Sequence, residues 1–251
     1  MGQAGGVDTE LAYAKLTLSL RIVGVRHDGY HLIDAEMASI DLADEVRFSP
    51  GDALVVEDVS GGPVAVTAGA DNLVARALRA VGRRADVHVV KRIPAGAGLG
   101  GGSADAAAVL RWAGSLDDVA VAVALGADVP FCVRGGRARV TGVGEGVEPV
   151  PCTAGEPFTL LTPPLHVSTA AVYRAWDELG GPTGAGDNDL EVAALVVEPE
   201  LARWRDRLGD ATGMQPLLAG SGSTWFVRGA FPTVTGGVVA TTVCPGGYAV
   251  G

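Results

Sequence analysis

Apolar and polar residues alternate along the first clear segment of the chain, between Ala12 and Leu20. Every second residue is apolar, and those between are polar or aromatic: Ala12, Ala14, Leu16, Leu18 and Leu20 against Tyr13, Lys15, Thr17 and Ser19. A period of two predicts a half-buried β-strand. Lys15 falls at the centre of the polar face, where it is either an ordinary solvated lysine or one held in place for chemistry.

The pattern over the rest of the chain predicts strands and helices in irregular alternation. Further strands are predicted at residues 32–48, 53–67, 86–91 and 131–150, the first of them after a tight turn centred on Asp28-Gly29. Helices are predicted from a cap at Asp71 to about Gly82, from Ser103 to about Ala113, from a capping box at Ser115–Asp118 to Leu125, from a cap at Ser168 to Leu179, and from about Pro199. This mixture indicates the α+β class, and the prolines between 149 and 157 suggest a boundary between residues 1–150 and 151–251.

Composition and charge exclude several classes of function. The 251 residues are 48% hydrophobic and carry a net charge of −10. The acidic balance argues against a nucleic acid or an anionic membrane as partner, because either would require a basic surface. The sequence has no apolar run of the roughly 18 residues that a membrane span needs. We therefore expect a cytoplasmic protein, and the sequence leaves its oligomeric state open.

The three cysteines, Cys132, Cys152 and Cys244, lie far apart and do not follow a metal-binding spacing. An odd number of widely spaced cysteines is typical of a protein from a reducing compartment. We therefore predict buried or free thiols.

The segment Pro94–Asp105 reads Pro-Ala-Gly-Ala-Gly-Leu-Gly-Gly-Gly-Ser-Ala-Asp and connects a predicted strand to a predicted helix. Glycine permits positive φ and close approach of a ligand to the backbone, and a helix N-terminus presents free N–H groups, so the segment predicts a phosphate-binding loop. A Walker A loop is excluded because no lysine precedes Ser103. A dinucleotide-binding loop fits the glycine spacing and Asp117, but Asp117 begins a predicted helix instead of ending a strand. A glycine-rich turn that binds nothing is the remaining alternative.

The loop and six further motifs resemble, in chain order, those of the GHMP kinases, named for galactokinase, homoserine, mevalonate and phosphomevalonate kinases. The further motifs are Ala14-Lys15-Leu-Thr-Leu, Asp28-Gly-Tyr-His31, Asp71-Asn-Leu73, Gly126-Ala-Asp-Val-Pro-Phe131, and the pair Asn188-Asp-Leu-Glu191 with Gly220-Ser-Gly-Ser-Thr224. The resemblance implies a two-domain GHMP kinase fold, with an N-terminal nucleotide-binding domain like domain 2 of ribosomal protein S5 and a smaller ferredoxin-like C-terminal domain. It also implies an ATP-dependent phosphotransferase. The set is most similar to members that phosphorylate the 2-hydroxyl of a cytidyl diphosphate alcohol on the non-mevalonate route to isoprenoids.

The resemblance implies a role for each matching residue. The loop residues expected to hold the ATP phosphates are Pro94, Ala95, Gly96, Ala97, Gly98, Leu99, Gly100, Gly101, Gly102, Ser103 and Ala104. Asn72 and Lys91 match positions on the adenosine side. Asp128 would accept the proton of the substrate hydroxyl, with Lys15 beside it. The residues expected to contact the cytidyl substrate are Thr17, Tyr30, His31 and Tyr173.

Some alternatives remain open from the sequence. Asp128 could be a turn or cap aspartate, and Tyr173 could be an ordinary packing residue of its helix. Thr17 stands where this group of kinases usually has asparagine, so the substrate contact there is in question. ATP chemistry implies Mg²⁺, but no protein ligand for it can be named. Another GHMP kinase of the homoserine or mevalonate type, or a non-catalytic nucleotide-binding relative, would share many of these features.

Overall fold

Two β-sheets, one from each half of the chain, form the framework of this computed structural model, which describes residues 7–62, 64–182 and 186–244. The strands of the first half are β1 (Asp8–Val25), β2 (His31–Ser49), β3 (Leu54–Asp58), β4 (Asp86–Lys91), β5 (Arg137–Gly142) and β6 (Gly146–Pro149). They form one six-stranded sheet in the order β3-β4-β2-β5-β6, with β1 antiparallel to β2. The predicted turn at Asp28-Gly29 is the hairpin that joins β1 to β2, and Gly29 has a φ of 86°.

Four helices accompany this sheet: α1 (Leu73–Ala80), α2 (Gly101–Trp112), α3 (Val119–Leu125) and α4 (Val129–Arg134). The alanine-rich helix α2 packs against β1, α1 and α4. Residues 104 to 110 of this helix are all buried, because alanine lets neighbouring elements approach on every side. Arg111 near its end fixes the neighbours, donating to the carbonyl oxygens of Leu11 in β1 and Cys132 in α4, both at 2.8 Å.

The second half contains the strands β7 (Pro157–Leu161), β8 (Leu217–Leu218), β9 (Trp225–Arg228) and β10 (Gly237–Thr241), and the helices α5 (Thr169–Glu178), α6 (Glu191–Val197) and α7 (Leu201–Thr212). The strands form a four-stranded sheet in the order β10-β7-β9-β8. Isolated bridges between Leu20 and Asn188 and between Ile40 and Thr242 connect the halves. One hydrophobic cluster includes buried side chains from both halves, so the boundary at residue 150 stays a prediction. The mixture of helices with two sheets confirms the α+β prediction.

Three helix predictions need correction. Asn72, not Asp71, caps α1, and its side chain accepts the N–H of Val74 at 2.9 Å. Helix α3 begins after Asp118, which accepts the N–H of Val121, so Ser115 is not the cap. The glycine-rich loop enters α2 two residues before the predicted start at Ser103, at Gly101.

The strand predictions also fail in places. Residues 131–134 belong to α4, where Pro130 suits the first helical turn; a short apolar run does not distinguish helix from strand. The strand predicted over residues 53–67 is confined to Leu54–Asp58. Helix α6 does not correspond to any helix predicted from the sequence. Strand β1 is buried on both faces at its centre. On one face Ala14, Leu16 and Leu18 join a hydrophobic cluster with Phe158, Leu160 and Phe226 of the second half, and on the other the backbone at Gly220 lies over Lys15 and Thr17.

The cysteine prediction is wrong for two of the three residues. Cys152 and Cys244 form a disulfide with Cα atoms 6.0 Å apart, joining positions 92 residues apart. Cys132 is a buried free thiol, and burial raises its pKa to about 12, which makes it unreactive. Within the described ranges no helix is long and apolar enough to cross a bilayer.

Candidate active site

The glycine-rich loop runs from the end of β4 into helix α2. Gly96, Gly98 and Gly100 have φ values of 76°, 78° and 69°, a backbone region that suits glycine. Close contacts add a second reason for glycine: a Cβ on Gly98 would lie 2.5 Å from the carbonyl oxygen of Ala219, and one on Gly100 would lie 2.7 Å from Cγ of Lys15. The loop is therefore pressed between β1 and the C-terminal half.

The start of α2 supplies the donors for an anion. The N–H of Ala104 donates to the carbonyl of Gly100, so helix geometry leaves the N–H groups of Gly101, Gly102 and Ser103 without intrahelical acceptors. These groups and the helix dipole favour phosphate at this end. A cavity of about 460 Å³ lies against the loop and is also lined by Asn72, Lys91 and Asp105. Asp117 lies in the turn before α3, not at a strand end, which disfavours a dinucleotide site.

The two side chains assigned to the adenosine side are engaged within the chain. The Asn72 amide caps α1 and donates to the carbonyl of Thr67 at 2.8 Å. The Lys91 ammonium donates to the carboxylates of Asp44 and, at 2.6 Å, Asp105. Both residues still line the nucleotide cavity, and direct contact of either with a nucleotide remains a prediction.

Asp44, Lys91 and Asp105 form a buried charge network under the loop. Asp44 also accepts the N–H groups of Arg92 and Ile93, which fixes the strand end from which the loop departs. Burial would lower the pKa of Lys91, but the two carboxylates outweigh it and raise that pKa. Burial raises the pKa of Asp105 to about 7, although Lys91 opposes the shift. One oxygen of Asp105, Oδ1, has no hydrogen-bond partner among the described residues.

Lys15 and Asp128 meet at the point where the loop, β1 and α4 converge. Their Nζ and Oδ2 atoms are 3.4 Å apart, and Lys15 also donates to the Thr17 hydroxyl at 3.1 Å. The Lys15 side chain is 7% exposed, which excludes the solvated-lysine interpretation. Asp128 occupies the N-cap position of α4 but makes no capping hydrogen bond, so its carboxylate is free to face the cavity.

A second cavity, of about 780 Å³, extends from Lys15 and Asp128. It shares Gly98 and Gly100 with the nucleotide cavity, so the two cavities meet at the loop. Its far end is aromatic. Tyr30 is 61% exposed there, and the ring of Tyr173 lies 4.7 Å from that of His31. Burial, together with the negative charge of Asp128, raises the pKa of Tyr173 to about 12, so its hydroxyl stays protonated.

The two C-terminal motifs close the second cavity. The Asn188 amide donates to the carbonyl oxygens of Leu218 and Gly220, at 2.8 and 2.6 Å. A Cβ on Gly220 would lie 3.4 Å from Nζ of Lys15, so the loop after β8 passes directly over the lysine. Asn188 therefore acts as a brace, and the loop that it holds forms one wall of the cavity.

Sequence reasoning brought together Lys15, Thr17, Asp128, Tyr30, His31 and Tyr173, all of which line the second cavity. It did not find the supporting residues Asp44, Asp105, Arg111 and Asp177. Asp105 carried a signal, as a carboxylate inside an alanine-rich helix. The other three offered none, because their partners lie far away in the sequence.

Comparison with known proteins gives consistent matches. The family described as GHMP kinases N terminal domain matches residues 72–136. The 4-diphosphocytidyl-2-C-methyl-D-erythritol kinase of Cereibacter sphaeroides is 37% identical, over 86% of this chain and 87% of that protein. The enzyme of the same name from Novosphingobium aromaticivorans is 38% identical, over 86% and 82%.

Solved structures agree on the fold. A crystal structure of 4-(cytidine 5'-diphospho)-2C-methyl-D-erythritol kinase superposes with a TM-score of 0.73 at 33% identity, covering 95% of this chain and all of that one (100%). The mevalonate kinase of L. major reaches a TM-score of 0.63 at 14% identity, covering 99% and 98%, which shows the shared fold alone. The identities over most of both chains and the ordered motifs lead to one conclusion: the chain belongs to the 4-diphosphocytidyl-2-C-methyl-D-erythritol kinase family of GHMP kinases.

Proposed function

We propose that this protein transfers the γ-phosphoryl group of ATP to the 2-hydroxyl of 4-diphosphocytidyl-2-C-methyl-D-erythritol, in the non-mevalonate route to isoprenoid precursors. The observation that carries the proposal is the junction of the two cavities. A glycine-rich helix N-terminus faces one cavity, aromatic rings line the other, and the Lys15–Asp128 pair lies where they meet.

Phosphoryl transfer needs positioning and charge stabilisation more than covalent chemistry. The N–H groups of Gly101 to Ser103 would hold the ATP phosphates in the nucleotide cavity. The substrate hydroxyl would lie at Asp128, whose carboxylate accepts its proton as the bond to phosphorus forms. Lys15, 3.4 Å away, would hold this carboxylate in position and offer positive charge to the transferred group. Thr17 keeps a hydroxyl beside Lys15 on the substrate side.

Mg²⁺ fits this site as an ion carried by the nucleotide. No group of three or more His, Cys, Asp or Glu able to hold a metal occurs in the part of the chain that the structure describes. Mg²⁺ commonly needs only one or two protein oxygens, because phosphates and water complete its shell. The residues that would contribute are Asp128 and Ser103. The Ser103 hydroxyl faces Gly126, in the turn just before Asp128. When bound, the ion neutralises phosphate charge.

At the aromatic end, Tyr30 and Tyr173 would flank the cytosine, and His31 would hydrogen-bond its edge. Substrates such as homoserine or mevalonate carry no base and need no such pocket. This feature favours the cytidyl substrate over the other GHMP substrates.

The test measures ATP-dependent phosphorylation of the cytidyl substrate, mevalonate and homoserine, with wild type and Asp128→Asn. We expect turnover of the cytidyl substrate alone, and a fall in kcat of about 100-fold or more in the variant. Asp118→Asn makes the same change at the exposed cap of α3 and serves as the matched control, because asparagine also caps helices. Turnover of mevalonate or homoserine instead would refute the substrate, and a variant within a few-fold of wild type would refute the role of Asp128.

A further inference from the structure

A carboxylate from the C-terminal half holds the histidine at the aromatic end of the second cavity. Asp177, in α5, accepts from Nε2 of His31, at the start of β2, with 2.8 Å between Oδ1 and the nitrogen. The His31 side chain is only 9% exposed, against 50% for Asp177. The histidine ring is packed against Tyr173 and, edge-on at 5.5 Å, against Trp176. The ring therefore has one orientation, fixed by residues of a single helix turn.

This contact determines what the other ring nitrogen can do. A carboxylate only accepts hydrogen bonds, so Nε2 of His31 must carry the hydrogen. In the neutral imidazole Nδ1 is then an acceptor. Among the described residues Nδ1 makes no hydrogen bond, and both His31 and Asp177 line the second cavity.

An acceptor held in that orientation distinguishes the two pyrimidines of nucleotides. Cytosine presents an exocyclic amine at C4, which donates, whereas uracil presents a carbonyl oxygen, which would face the Nδ1 lone pair. Leaving two acceptors opposed and desolvated is costly. We propose that Asp177 is a positioning residue that holds His31 in the Nε2–H tautomer and thereby makes the site select cytidine over uridine. This inference rests on the proposed function, because it assumes a cytidyl substrate.

Helix α5 is built to keep Asp177 in place. Ser168 caps its first turn, and the indole N–H of Trp176, the residue before Asp177, donates to the carbonyl of Pro182 at 3.0 Å. The side chain of Asp177 is half exposed, so its replacement should leave the helix intact. Glu178, the next residue, is exposed and provides a matched control.

The experiment compares kcat and KM for the cytidyl substrate and its uridyl analogue in wild type, Asp177→Asn and Glu178→Gln. An asparagine can donate to Nε2 as well as accept, which admits the tautomer with hydrogen on Nδ1. We expect the cytidyl-to-uridyl ratio of kcat/KM to fall by about tenfold in Asp177→Asn, through KM, with kcat on the cytidyl substrate nearly unchanged. Glu178→Gln should keep the wild-type ratio.

The outcomes separate this inference from the proposed function. Cytidyl turnover by the wild type without discrimination against the uridyl analogue, or an equal loss on both substrates in Asp177→Asn, overturns the role of Asp177 and leaves the proposed function standing. A wild type that phosphorylates neither substrate overturns both. Thermal unfolding of the variant at the wild-type temperature shows that a changed ratio does not come from a damaged fold.

Discussion

The buried carboxyl of Asp105 should make the stability of this protein fall as pH rises from 4 to 7. Its pKa in the folded chain is raised by burial from 3.8 to about 7. In that window the folded protein therefore holds a proton that the unfolded chain has released. Stability linked to this proton is complete below pH 4 and is lost as the pH approaches 7.

The size of the effect follows from the shift. One pKa unit corresponds to about 1.4 kcal/mol, so a shift from 3.8 to about 7 contributes about 4 kcal/mol at low pH. Most of this contribution should be lost at pH values where unfolding can be measured, because about 3 kcal/mol should disappear between pH 5 and pH 8. Asp105→Asn removes the titrating group while keeping its shape, and so removes this slope.

The assay is urea denaturation of wild type and Asp105→Asn at pH 5, 6.5 and 8. We expect the difference in free energy of unfolding between the two proteins to change by about 3 kcal/mol across the series, in favour of the variant at high pH. Asp210→Asn removes a carboxylate from the exposed surface of α7 and controls for net charge. A constant difference across the series would refute the reasoning, and would mean that Lys91 keeps Asp105 ionised throughout.

Three further outcomes are expected. Reducing the Cys152–Cys244 disulfide, which closes a loop spanning 92 residues, should lower the free energy of unfolding in urea by about 5 kcal/mol in the chain-entropy treatment, and equal stability with and without reductant would contradict this. Gly98→Ala should raise KM for ATP and destabilise the protein by well over the roughly 1 kcal/mol expected for Gly82→Ala, because both glycines have positive φ but only Gly98 also faces a carbonyl oxygen. Equal losses of stability in thermal unfolding of the two variants would contradict this. Tyr30→Ala should raise KM for the cytidyl substrate by about tenfold or more in steady-state kinetics and leave KM for ATP unchanged, and equal loss of both would refute the stacking role.

The parts of the fold that sequence predicts are those specified by local chemistry. The alternation around Lys15 gave strand β1, the Asp28-Gly29 pair gave its hairpin, and Ser168 gave the start of α5. The strand prediction is wrong for residues 131–134 because their apolar side chains suit both a strand and a short helix, and only the packing of α4 against α2 decides.

The residues of the candidate site also divide into those that local sequence indicates and those that it does not. Lys15 stood out because a lysine is unusual in the middle of a strand, and the glycine loop because its composition has few other uses. The roles of Asp128 and Tyr30 came from resemblance, since a turn aspartate or an exposed tyrosine is unremarkable alone. Asp177, in helix α5, was unpredictable because its partner, His31, is 146 residues away, at the start of strand β2. Pairings across such distances depend on tertiary structure, which no local pattern encodes.

The charge distribution suggests why the phosphate loop relies on backbone groups. The protein has a net charge of −10, yet both proposed substrates are polyanions. The lysine that lines the nucleotide cavity, Lys91, is already engaged by Asp44 and Asp105, and Lys15 is paired with Asp128. Binding by oriented N–H groups of Gly101 to Ser103 avoids adding free cations, and it places the positive end of a fixed dipole where negative charge accumulates during transfer. The two buried lysines are thereby left for positioning: Lys91 holds the loop to the sheet, and Lys15 holds the base of the reaction at the junction of the two cavities.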